Sequence, residues 1–145
     1  MTDYSKSLSN YQRGFMGREC YFVPINEKIG AKLFYYYKEK EVEKIQQRQM
    51  LAFTNELGPE PFEIIKHNKM FGYITEIVKV IPVKRNIAGD PLVETRKFTQ
   101  EERLDLHRLK NDLNEIGFTF WDMFEGNIGW KSFNNKERMV CIDFG

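Results

Sequence analysis

Apolar positions in this chain fall into two rhythms. From Tyr21 the sequence reads "YFVPI", breaks at "NEKIG", and resumes as "AKLFYYY". Two β-rich runs around an Asn/Gly-containing break predict a hairpin. From Lys38 to Leu57 the composition shifts to Glu, Lys and Gln, with Val42, Ile45, Ala52, Phe53 and Leu57 as apolar positions. That spacing predicts a helix with one apolar stripe, stopped by Gly58 and Pro59. "FEIIK", a turn at "HNK" and "MFGYITEIVKVI" predict a second hairpin ending at Pro82. Residues 83–98 mix Pro, Gly and Asp without periodicity and read as a connector. Thr99 and Glu102 form a capping-box pair that opens a helix through Ile116. Leu106, Leu109, Leu113 and Ile116 share one face of that helix, and Gly117 ends it. "FTFW", a loop, "NIGWKSF", a turn at "NNKE" and "RMVCIDFG" predict a closing hairpin, whereas residues 1–10 read as a loose polar tail.

The predicted order is ββ-α-ββ-connector-α-loop-ββ, an α+β chain. It divides at the connector into a sheet-rich half, 12–82, and a smaller helical half, 99–145, with a cleft between them. A length of 145 residues fits one domain of this kind. Charge adds a restriction: 22 basic against 21 acidic residues give a net charge of +1, which supplies no electrostatic reason to expect nucleic acid or an anionic membrane as partner. Cys20 and Cys141 lie far apart and form no metal-ligand pattern, so two thiols in a reducing compartment are expected. The polar N-terminus shows no secretory signal, and no apolar run approaches the roughly 20 residues that span a bilayer. The expected location is the cytoplasm.

The candidate chemistry lies near the C-terminus. In "WDMFEGNIGW", Asp122 and Asn127 bracket a loop short enough to be compact, with Gly126 permitting a tight turn. Asp143 follows the strand-like "MVCI", so a strand could deliver it beside that loop. Carboxylate and amide oxygens are hard ligands that suit Mg²⁺ and leave positions for water and substrate phosphates. One carboxylate would then be left to orient or deprotonate an attacking hydroxyl. The plainer alternative is that Asp122 caps a turn, Gly126-Asn127 is a turn, and Asp143 is a tail carboxylate.

D-x-x-x-x-N, then a hydrophobic strand, then D-F-G resembles the catalytic loop and metal-binding segment of the protein-kinase-like superfamily. The resemblance runs over roughly residues 12–145. It implies a kinase-like small lobe (antiparallel sheet plus one helix), a connector at 83–98, and a much reduced large lobe of one helix, catalytic loop and short β-hairpin. It implies ATP and Mg²⁺ as cofactors, Asp122 as catalytic base, and Asn127 and Asp143 as metal ligands. Lys32 in "IGAKLFY" matches the phosphate-binding lysine of the third strand, and Glu76 to Val78 match the backbone that contacts adenine.

Four departures qualify what the resemblance implies. "RGFMGREC" offers Gly14 and Gly17 to turn over phosphates, without the full G-x-G-x-x-G. The family pairs its lysine with a helical Glu; here Glu41 and Glu43 lie near the helix start, and spacing favours Gln49, which can hydrogen-bond an ammonium but cannot neutralise it. Phe120-Trp121 stand where many kinases carry His-Arg. The sequence stops at Gly145, where a kinase would continue into its activation segment. The charged residues Arg103, Asp105, Arg108, Lys110, Asp112 and Glu115 cover the faces of helix 99–116 away from its leucines. A helix dressed for water on those faces predicts a chain complete as it stands.

Two functions follow as expectations. One is a minimal phosphotransferase moving the γ-phosphate of ATP to a hydroxyl acceptor. The other is a catalytically inactive kinase-like protein that acts by docking on a partner protein, through surfaces such as Phe34–Tyr37, or by forming a homo-oligomer. An exposed leucine face on helix 99–116 would favour the oligomer.

Overall fold

The computed structural model describes residues 4–8, 15–16, 19–80, 84–85, 91–93, 98–118 and 127–144. The chain is a mixed α+β fold with antiparallel sheets. One helical turn, α1 (Ser5–Leu8), precedes β1 (Phe15–Met16), β2 (Cys20–Pro24) and β3 (Ile29–Phe34). Then come helix α2 (Glu39–Thr54), β4 (Pro61–His67), β5 (Met70–Glu76) and β6 (Lys79–Val80). The short strands β7 (Lys84–Arg85) and β8 (Pro91–Val93), helix α3 (Gln100–Glu115), and the hairpin β9 (Ile128–Phe133) and β10 (Lys136–Cys141) complete it.

The first sheet has the order β1-β2-β3-β5-β4. Its turns follow from local chemistry. The Asn26 side chain accepts from the backbone N–H of Lys28 (2.7 Å) and of Ile29 (2.9 Å), closing the β2–β3 turn. Asn68 and Lys69 both take positive φ between β4 and β5, and Asn134 and Asn135 do so between β9 and β10. Two successive left-handed residues are what a two-residue hairpin requires, and Asn accepts that conformation readily.

Both long helices form where the pattern puts them. Thr99 caps α3 by accepting from Glu102 N–H, while the Glu102 carboxylate accepts from Thr99 N–H. Helix α2 stops earlier than Gly58-Pro59 would impose: Asn55 ends it and Glu56 turns left-handed, at φ 59°. Three further expectations need correction. The predicted strand running to Pro82 breaks after Glu76, and its second part, β6, joins a different sheet of order β10-β9-β6. The connector holds a two-stranded piece, β7 against β8. The polar tail contains α1, whose Leu8 is buried.

Strand alternation divides the core. One face of the first sheet carries Tyr21, Val23, Ala31, Leu33 and Ile74, closed by Leu8. The other carries Phe34 and Tyr73 and meets α2 (Val42, Ile45, Ala52), α3 (Leu109, Leu113) and the closing hairpin (Ile128, Met139, Cys141), with Phe144. This second core is continuous from the first sheet through both helices to the C-terminal hairpin. The leucine stripe of α3 is consumed in it: Leu109 and Leu113 are fully buried, Leu106 and Ile116 partly so, and Leu104, off the stripe, is 67% exposed.

Candidate functional site

Lys32 lies on β3, with β2 on one side and β5 on the other. Alternation puts its side chain on the same face as Phe34, toward the helices and the closing hairpin. Tyr73 is its direct partner across β5. A Cβ at Gly72, the neighbour of Tyr73, would come within 1.8 Å of the Lys32 carbonyl oxygen, so only glycine lets β5 approach β3 this closely.

The far side of the site is the open end of the β9–β10 hairpin. Beyond the Cys141–Ile128 pair, Ile142 N–H donates to the Asn127 carbonyl at 3.0 Å, so Asn127 and Ile142 continue the ladder. Cys141 N–H donates to the Leu57 carbonyl at 2.9 Å, tying this end to the segment after α2. Phe144 is fully buried, edge-on to Phe118 at 6.1 Å. The Asp-Phe-Gly segment alternates accordingly: Phe144 anchors in the core, and Asp143 is exposed. The segment is thus anchored through Phe144.

Lys32 closes the gap between these two sides. Its Nζ donates to the Ile142 carbonyl at 2.5 Å, across 110 positions of sequence. Burial works against the ammonium, but Tyr73, Cys20, Asp143 and Cys141 favour it, and the balance raises the lysine above its ordinary value. Tyr73 is pushed up to about 12, chiefly by its own burial. Near neutral pH the phenol is therefore uncharged; the Ile142 carbonyl is the direct partner of the ammonium, and the Asp143 carboxylate acts on it from beyond ion-pair distance.

Gln49 is fully buried on α2, and its hydrogen bonds among the described residues go elsewhere than to Lys32. Its amide donates to Thr75 Oγ1 (2.7 Å) and to the Pro59 carbonyl (3.0 Å), and its oxygen accepts from the Tyr73 hydroxyl (2.5 Å). Glu41 accepts from Lys38 N–H at the start of α2. Among the described residues, Lys32 has no carboxylate within ion-pair distance.

Asn127 and Asp143 are placed at adjoining positions by a single ladder bond, Asn127 buried and Asp143 exposed. By donor chemistry an amide and a carboxylate oxygen are of the kind Mg²⁺ takes, one or two at a time, with water and phosphate in its remaining positions. Among the described residues no three His, Cys, Asp or Glu side chains form a metal-binding group. Asp122, Gly14 and Gly17 lie outside the described residues, as do Phe120, Trp121 and Gly126.

The segment expected to contact adenine is partly engaged. Glu76 N–H donates to the Glu60 carbonyl (2.9 Å) and Ile77 N–H to the Lys28 carbonyl (2.8 Å). The Glu76 carboxylate accepts from Glu60 N–H (2.9 Å) and is ion-paired with Lys131. Val78 lies against Gly129 of β9. In the Phe34–Tyr37 run, Phe34 is core and stacks on Tyr37 at 5.3 Å, while Tyr36 is 90% exposed. Cys20 and Cys141 are not joined in a disulfide. Among the described residues no helix is long and apolar enough to cross a membrane.

Sequence reasoning missed Tyr73, Thr75 and the Ile142 carbonyl. Tyr73 and Thr75 were legible as inward positions of one strand, two apart. Their bearing on Lys32 and Gln49 depends on the β3–β5 register, which apolar alternation does not give.

No protein-family model matches the chain. None of the curated proteins matches it either. Among solved structures, the kinase domain of Mycobacterium tuberculosis PknI, as a double mutant, is similar to it with a TM-score of 0.45 and 12% identity. The likeness covers 91% of this chain and 58% of that kinase domain.

Proposed function

We propose that this chain binds a Mg²⁺–nucleotide between Lys32 and the open end of the β9–β10 hairpin, in the manner of a kinase. On this reading it transfers the terminal phosphate to a hydroxyl acceptor. The observation that carries the reading is the Lys32–Ile142 contact. It brings a strand lysine to the residue before Asp143, at the point where Asn127 pairs with Ile142.

In this arrangement the Lys32 ammonium faces phosphate oxygens, and Asn127 and Asp143 supply the hard oxygens that hold the cation. Mg²⁺, when bound, would neutralise charge on the phosphates. Asp122 has the role of accepting the acceptor's proton, assigned from its place in the D-x-x-x-x-N motif. The Lys32 contact with a main-chain carbonyl suits this task, because a neutral oxygen yields to an anionic phosphate more readily than a carboxylate would.

Calorimetric titration with ATP, with and without Mg²⁺, beside Asp143→Asn, tests the reading. We expect binding that depends on Mg²⁺ and falls at least about tenfold in the variant, the loss of one charged ligand. No binding at millimolar ATP would sink the proposal and turn attention to docking on a partner protein.

A further inference from the structure

We infer that Tyr73, held by Gln49 and Thr75, is the positioning residue for Lys32, in place of an acidic partner on the helix. The inference rests on the reading of Lys32 as the phosphate-facing lysine. A lysine side chain has four rotatable bonds and aims a charge poorly unless something fixes it. An ion pair with a helical carboxylate would do so, but Gln49 is neutral and is spent elsewhere.

Its three hydrogen bonds use both amide protons and the amide oxygen, so the side chain has one orientation. That orientation is set by the requirement that a fully buried polar group be satisfied. The Tyr73 hydroxyl, donating to Gln49, fixes its ring in turn. The ring lies beneath the Lys32 ammonium, with Nζ 5.8 Å from its centroid. This is within the range at which an aromatic face attracts a cation. Phe34 stacks on the same ring at 6.2 Å and limits its movement further.

A chain of contacts therefore runs from the Pro59 carbonyl and Thr75 through Gln49 and Tyr73 to Lys32, and ends at Ile142 beside Asp143. Its chemical consequence is specific. A carboxylate would compete with phosphate for the ammonium, whereas a neutral ring and a carbonyl hold the amine in place and leave its charge available.

The test is NMR of the full chain with labelled lysine. Methylene protons next to the Lys32 amine, standing over a phenol ring, should be shifted upfield from their random-coil position. Tyr73→Leu should abolish that shift and so identify its source. Gln49→Met should return it most of the way to the random-coil position, and Thr75→Val, which keeps the side-chain shape, should do so in part. A folded Thr75→Val or Gln49→Met protein with the wild-type shift would overturn the inference, as would a wild-type Lys32 at the random-coil position. Titration with Mg-ATP supplies the second readout. Gln49→Met should weaken binding about tenfold, the worth of a desolvated cation–ring contact. Unchanged affinity in that variant would count against the inference. Absence of binding by the wild type would defeat the nucleotide reading itself, while the shifts still decide whether Tyr73 positions Lys32.

Discussion

Two lysines join the first sheet to the closing hairpin, from opposite directions. Lys32 reaches from β3 to the end of β10, and Lys131 reaches from β9 to β5. Lys131 is ion-paired with Glu76, its ammonium 4.7 Å from the Phe53 ring centroid and 5.3 Å from that of Phe133. The two side chains of this pair are 12% and 29% exposed. Among the described residues, Lys32 donates to a main-chain carbonyl and stands by one ring, with no carboxylate in ion-pair distance. The fold thus gives one lysine a carboxylate and two aromatic walls and gives the other neutral neighbours with an exposed carboxylate beyond. The first arrangement is a clasp, whose charge is already used. The second leaves the cation without a carboxylate partner among the described residues, at Ile142, which pairs with Asn127 and precedes Asp143.

The comparison breaks if the two lysines respond alike to the same substitution. Lys131→Met should have the larger effect on stability, about 2 kcal/mol, because it strands the half-buried Glu76 and removes two cation–ring contacts. Urea denaturation would measure it. Lys32→Met should cost less, about 1 kcal/mol, because relief of the buried ammonium offsets the loss of one hydrogen bond and one ring contact, and Met fills the same space. The same variant should remove Mg-ATP binding, whereas Lys131→Met, where folded, should retain it. Equal losses of stability would make both lysines clasps and would weaken the case for Lys32 as a binding group.

Why was the clasp illegible and the open lysine legible? Lys32 stood in a recognisable order with Asp122, Asn127 and Asp143, so its identity came with a motif. Lys131 and Glu76 belong to no motif, and they meet because the strand predicted through Pro82 breaks at Glu76 and sends β6 across to β9. Nothing in "MFGYITEIVKVI" marks that break, since apolar residues continue past it. Local signals carried further. The Thr99–Glu102 cap and the Asn134–Asn135 turn depend on neighbours in sequence, and both form as read. The leucine stripe of α3 was legible as a face, but whether that face met the core or a second copy was not. That depended on where β10 and Phe118 packed. Spacing favoured Gln49 over Glu41 and Glu43 as the partner of Lys32, yet its hydrogen bonds go to Pro59, Thr75 and Tyr73. Its partners, Tyr73 and Thr75, lie on a strand whose register only tertiary pairing decides.

The smallest expected effect separates the two regions by pH. Tyr73 has a value of 10.0 when unfolded and about 12 when folded, because burial penalises the phenolate. Below pH 10.0 both states keep the phenol proton, and its contribution to stability is complete. Between 10.0 and about 12 the unfolded chain loses that proton while the folded chain retains it, so stability must fall as pH rises. Lys32 acts in the same direction. Its value is raised above 10.5, so its contribution is whole below 10.5 and is lost as pH rises through the folded value. The wild type should therefore lose stability with rising alkali more steeply than Tyr73→Phe, and more steeply than Lys32→Met, when urea midpoints are followed across that window. The phenolate absorbance of the folded protein should also show a late titration, since Tyr37 and Tyr73 are both raised, and Tyr73→Phe should remove the Tyr73 part of it. Parallel alkaline losses in all three proteins would mean that Tyr73 and Lys32 do not share a buried environment, and the contrast with the clasp at Lys131 would have no physical basis.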